Sequence, residues 1–136
     1  MTTLAQVRDG LAARLETING LRVYNLIPDD AGYPAAIVRL RAIFNYGEGI
    51  DYASTMRANF SVTVLIPRSV ARQQLELYPF VETTGAQSIP ALINADHTLG
   101  GLDVDARATD TSEVESVTMG STELYGLTVN ILVFIS

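Results

Sequence analysis

The sequence contains no cysteine, no tryptophan and no lysine, and its only histidine is His97. Without cysteine there can be no disulfide framework, no thiol nucleophile and no thiolate-ligated zinc, and cysteine usage says nothing about redox compartment. Without lysine there is no ammonium group for phosphate capture or Schiff-base chemistry, since all nine basic residues are arginine. Every triad or dyad that needs an imidazole has to use His97. Long apolar runs are also missing. The longest, near the C-terminus, is too short to span a bilayer, and Arg8, Asp9 and Arg14 interrupt the apolar pattern of the first segment, unlike a signal peptide. The expectation is a soluble, intracellular protein with no membrane association.

What is present suits one packed domain spanning residues 1–136, with 48% hydrophobic and 18% charged residues. The net charge of −6 is segregated. Residues 1–95 hold eight acids and eight arginines, so they are neutral. In residues 96–136, Asp96, Asp103, Asp105, Asp110, Glu113, Glu115 and Glu123 face Arg107 alone, and these seven acids less one arginine account for the whole excess. That section repels polyanions, which argues against specific nucleic-acid binding.

Hydrophobic spacing gives the order of elements. Leu4, Val7, Leu11, Leu15 and Ile18 recur every three or four residues and predict a helix over 4–19, opened by a Thr3/Gln6 capping box and stopped at Gly20. Strands are predicted over 21–26, after Pro34 through Ile37 and Val38 to about Ala42, over 56–66, over 102–108 and over 123–135. Ser69 is a candidate cap for a helix carrying Ala71, Leu75 and Tyr78, which Pro79 kinks or ends. Ser88 caps a shorter helix with Pro90 in its first turn and Ile89, Leu92 and Ile93 turned inward. Phe44–Ser54, with Gly47 and Gly49 between aromatic and acidic residues, reads as a long hairpin loop, and the polar, acidic Thr109–Gly120 as a second loop. The pattern implies an α+β fold: a single domain with a mixed, mainly antiparallel sheet, helices packed on one face, long strands and projecting loops.

Each candidate for chemistry has a plainer explanation. His97 with Asp96 or Asp103 and Ser88 matches no nucleophile elbow, and a lone histidine beside a turn is more often structural. Asp96, Asp103 and Asp105 are candidates for a hard cation, yet they lack calcium-loop spacing and lie in polar turns. Gly47, Gly49, Gly100 and Gly101 are turn glycines without a phosphate-loop order around them. Glu113 and Glu115 fit a solvated acidic loop better than an acid/base pair. The aromatic residues Phe44, Tyr46 and Tyr52, near Arg39 and Arg41, form a candidate subunit or partner interface, with ordinary packing as the alternative. No catalytic residue, metal site or cofactor follows from the sequence, so the protein is expected not to be an enzyme.

With the elements in this order, the chain resembles the tail terminator, or tail completion, proteins of long non-contractile-tailed bacteriophages. The likeness is carried by Ile18-Asn19-Gly20-Leu21-Arg22-Val23-Tyr24, Pro34-Ala35-Ala36 and Phe60-Ser61-Val62-Thr63-Val64-Leu65. It continues through Ser88-Ile89, Ala91-Leu92 and Asp96-His97-Thr98-Leu99-Gly100-Gly101, ahead of the long last strand. Pro79, within the family's middle helix, departs from the pattern. The resemblance implies a virion protein that forms a homo-oligomeric ring, usually a hexamer, at the head-proximal end of the tail. There it would end polymerisation of the major tail tube protein and join the tail to the head connector or neck proteins, with assembly in the host cytoplasm. On that reading DNA passes through the lumen without specific binding, and Asp110, Glu113 and Glu115 are expected to face it. The alternatives are another neck or tail-tube subunit or, in a different class, a small metal-dependent hydrolase or ligand-binding domain using Asp96, Asp103 and Asp105.

Overall fold

The computed structural model describes residues 3–18, 20–24, 34–46, 56–67, 77–102, 104–112, 115–119 and 122–135. Helix α1 spans Leu4–Leu15, and its first turn is closed reciprocally: the Thr3 hydroxyl accepts the Gln6 N–H at 3.2 Å while Gln6 Oε1 accepts the Thr3 N–H at 2.8 Å. The helix stops before Asn19, earlier than its spacing suggests. Thr17 and Ile18 bond back three residues to Arg14 and Leu15, and the Thr17 hydroxyl donates to the Arg14 carbonyl at 2.6 Å, so the final turns tighten. Gly20, with φ +87, then reverses the chain as expected of a left-handed stop.

Three long strands dominate: β2 (Ala35–Tyr46), β3 (Met56–Pro67) and β6 (Thr122–Ile135). β1 (Arg22–Tyr24) pairs in parallel with the start of β2, from Ala35 to Ile37. β2 pairs antiparallel with β3, and β3 antiparallel with β6 from Met56↔Ile135 to Pro67↔Leu124. β4 (Val104–Thr111) and β5 (Glu115–Met119) both pair antiparallel with β6, one along each half of it, giving a six-stranded mixed sheet of order β1-β2-β3-β6-β4. β4 and β5 therefore act as one interrupted edge strand. Two sequence expectations are corrected here. β2 continues through Phe44 to Tyr46, so these first residues of the expected loop are strand, and the segment 47–55, with Tyr52, lies outside the described residues. Thr109–Gly120 is not a loop throughout, because Thr109–Thr111 completes β4 and Glu115–Met119 forms β5, with Glu113 outside the described residues.

The α+β reading of one sheet with helices on one face holds. Val7, Leu11 and Leu15 of α1 and Ile89 and Ile93 of α3 (Ile89–Ala95) are buried in one cluster with Phe60, Val62, Val64, Val129, Ile131 and Val133. Alternation along β3 and β6 supplies that apolar face. Phe60 is 1% exposed and sits opposite Ile131, the centre of the core. Ser88 caps α3 as predicted, accepting the Ala91 N–H at 3.0 Å while its hydroxyl donates to the Glu82 carbonyl. The helix expected to kink or end at Pro79 falls almost wholly outside the described residues. Pro79 lies in the first turn of α2 (Tyr78–Val81), where a missing N–H costs nothing. The expected helix residues Ala71 and Leu75 lie outside the described residues.

Gly10 sets how close α1 comes to the turn after α3. A Cβ at this position would meet Leu99 Cβ and the Leu99 carbonyl, each at 3.2 Å, so the absence of a side chain permits the approach.

Candidate functional site

The sheet face opposite the helices is built from the alternate residues of the same strands. Its central level reads Arg39, Ser61, Asn130 and Asp110 on β2, β3, β6 and β4. Irregular pairing between Leu40 and Ala42 brings in Arg41, whose guanidinium donates to Asn130 Oδ1 at 3.0 Å. The other side of the same amide, Asn130 Nδ2, donates to Asp110 Oδ1 at 3.0 Å, and the Thr109 hydroxyl donates to that oxygen at 3.0 Å. Ser61 lies between Arg39 and Asn130 in the register and is 2% exposed, small enough for the Arg41 side chain to cross it. One polar chain thus joins strands β2, β6 and β4. Asn130 is only 9% exposed, so its bonds also satisfy an amide that burial would otherwise penalise.

Beside this row is an open polar cleft of about 370 Å³, with Arg39 and Arg41 on its β2 side, Ser61 and Thr128 at its floor, and Ser112 and Glu115 towards β4 and β5. Thr63 and Thr128 hydrogen-bond across the floor at 3.0 Å. At the other end of the face, the Arg57 guanidinium stands over the Phe134 ring, 4.9 Å from its centroid, and covers part of an exposed aromatic. Arg107 pairs with Asp105 at 3.2 Å. The face is therefore cationic on its β2 side and anionic at Asp110 and Glu115.

The residues considered for chemistry have structural positions. His97 Nδ1 lies 3.0 Å from the Ala106 carbonyl, while the His97 carbonyl accepts the Ala106 N–H at 2.9 Å, so this residue covers part of the outer edge of β4. The nearest Asp105 oxygen is 3.6 Å from the same ring nitrogen. Asp96 organises the turn that follows α3, accepting from the Thr98 hydroxyl and the Gly100 N–H, each at 3.0 Å. Thr98's hydroxyl bond is the main cause holding the Asp96 carboxyl below its ordinary pKa. The Gly100 N–H and the Arg14 guanidinium, 3.7 Å away, act in the same direction against partial desolvation. The left-handed conformations of Gly100 and Gly101 let this turn close. Ser88's hydroxyl is fully occupied by the α3 cap. Among the described residues no group of three His, Asp or Glu side chains is arranged to hold a metal, and Asp103 lies outside them.

The structure brings Arg39, Arg41, Asp110 and Glu115 onto one face, whereas the sequence assigned the arginines and the acids to two separate sites. Phe44 and Tyr46 lie on β2. The sequence reading missed Ser61, Thr128 and Asn130. Their signal was present, because they are the polar members of otherwise apolar strands, at alternating positions that share a face.

No helix among the described residues is long and apolar enough to cross a membrane. Comparison with known proteins adds little to the geometry. No family model matches the chain, and no curated protein matches it. One solved structure, a protein designated by a sequence number alone, aligns over 95% of this chain and 91% of its own at 16% identity and a TM-score of 0.43. A likeness at that level carries no functional conclusion.

Proposed function

We propose that this chain is a non-enzymatic structural subunit of a phage virion, a tail terminator that forms a ring on the head-proximal end of the tail tube. The observation that supports this most directly is the open face, where an ordered polar lattice connects a cationic side with an anionic one. A ring of identical subunits requires two different, mutually complementary surfaces on each copy, and a face with opposite charges on its two sides supplies them. The segment resemblance described above adds the tail as the place of assembly and the major tail tube protein and head connector as partners. The acid excess after residue 95 is compatible with DNA sliding past without adhering.

The test is polymerisation of the cognate tube protein with and without this chain, followed by electron microscopy of tube lengths. A terminator caps tubes at a limited length and is found at one tube end. If the chain instead polymerises by itself into long stacks, it is a tube subunit, and its absence from purified virions would rule out both readings.

A further inference from the structure

We infer that copies of this chain join side by side, with the Arg39 and Arg41 edge of one sheet against the Asp110 and Glu115 edge of the next, through side-chain ion pairs and not through a shared β-ladder. The inference deepens the ring reading by naming the contact, and it rests on that reading only for closure of the contacts into a ring.

Four observations converge. First, both edges of the sheet are uncovered at the same level among the described residues. β1 pairs with β2 only from Ala35 to Ile37, and the His97 loop meets β4 at Ala106. Among the described residues no strand covers β2 from Arg39 onward or β4 from Ala108 to Thr111. Arg39 and Asp110 lie at one level in the register, separated by three strand spacings, roughly 14 Å.

Second, the strand directions permit propagation. β2, β3, β6 and β4 alternate in direction, so β2 runs antiparallel to β4 within one chain. A second copy set alongside in the same orientation places its β2 antiparallel to the first copy's β4, and the two open faces stay on one side. Arg39 of one copy then stands beside Asp110 of the other.

Third, the charges at this level disfavour the symmetric alternatives. Joining β2 to β2 sets arginines against arginines, and joining β4 to β4 with the Asp110 levels aligned sets Asp110 against Asp110, each a like-charge contact. Head-to-tail joining matches opposite signs and leaves Arg107 in its pair with Asp105, and it is the geometry that yields closed rings or open filaments.

Fourth, the internal bonding leaves these groups available. Arg39 and Glu115 form no ion pair or side-chain hydrogen bond among the described residues, and Asp110 uses one carboxylate oxygen for both of its internal bonds. Pairing is irregular at both edges, between Leu40 and Ala42 on β2 and between Ala108 and Asp110 on β4. Such irregularities break an edge ladder and re-aim side chains, so the contact is made by the charged groups. On this inference Asp110 and Glu115, which the sequence placed towards a lumen, take part instead in the contact between subunits.

The experiment is sedimentation of the purified chain from micromolar to millimolar concentration at low and high salt. The native protein associates, and does so less at high salt. Arg39→Glu weakens association about tenfold or more by setting like charges together, and Asp110→Arg does the same from the other edge. An equimolar mixture of the two variants recovers association, because each now complements the other, and so does the double variant R39E/D110R. Circular dichroism checks folding; if Asp110→Arg is unfolded, Glu115→Arg, which breaks no internal bond, takes its place in every arm. A native chain that stays monomeric throughout overturns the inference. So does an Arg39→Glu chain that associates like the native one, or loss from both edges with recovery in neither the mixture nor the double variant. The tail reading fails separately: association that obeys this charge code without any effect on tube length would sink the terminator assignment and leave the contact standing. Full capping by a monomeric Arg39→Glu chain would do the reverse.

Discussion

The two faces of the sheet come from the same three long strands and are stabilised in opposite ways. The helix-covered face is filled by Phe60, Val62, Val64, Val129, Ile131 and Val133, whose contribution comes from area removed from water and from close packing. The other face carries Arg41, Asn130 and Asp110 in a directional chain of hydrogen bonds. Apolar packing fails by leaving a void when one side chain is shortened. A polar chain fails by leaving donors and acceptors unmatched, and exposed members can turn to water instead. The covered face should therefore control stability, while the open face controls what the protein can meet.

The comparison can be broken most severely at its centre. Phe60→Ala should cost about 3–5 kcal/mol in equilibrium denaturation, because the ring is fully buried in the cluster that the sheet shares with α1 and α3. A loss below about 1 kcal/mol would mean that the face is loosely packed. On the open face, Asn130→Ala should cost about 1–2 kcal/mol, since Arg41 and Asp110 are exposed and water replaces the lost amide. A cost equal to that of Phe60→Ala would erase the distinction between the faces. Arg57→Ala should cost about 0.5–1 kcal/mol, the value of a cation above an exposed ring.

The smallest effect concerns the turn that ties α3 to β4. The Asp96 carboxyl is held below its ordinary pKa in the folded protein, so its contribution is present above the unfolded value and disappears as pH falls through the lowered folded one. Asp96→Asn should accordingly be less stable than the native chain at neutral pH, with the difference closing below about pH 4. Thermal melts of both chains across that range check it; a gap that stays constant with pH would show that ionisation of Asp96 is not what stabilises the turn, and no gap at all would show that the amide serves as well as the carboxylate.

The covered face was readable because one-sided alternation is a strong signal over twelve or more residues, and β3 and β6 appear within a residue of their predicted bounds. Caps were readable for the same local reason, as at Thr3 and Ser88. The β4–β5 edge was not. Thr109–Thr111 and Glu115–Met119 belong to a polar, acidic stretch, and they become strand through pairing with β6, a tertiary contact that residue preference does not announce. The extension of β2 to Tyr46 has the same origin, in its pairing with Met56. The open-face network was illegible for a further reason: Arg41 reaches Asn130 only because the pairing beside it is irregular and Ser61 is small.

The central ladder also bears on how the chain folds. The β2–β3 and β5–β6 hairpins join neighbours in sequence, but β3 and β6 come together across more than half the chain at Met56 and Ile135. Closing that long loop consumes chain entropy before any of the ladder's bonds can form. The two hairpins should consequently condense early, and their docking should set the pace. Folding then falls in the millisecond-to-second regime of non-local sheets, with the central edges of β3 and β6 open to other chains until docking is complete.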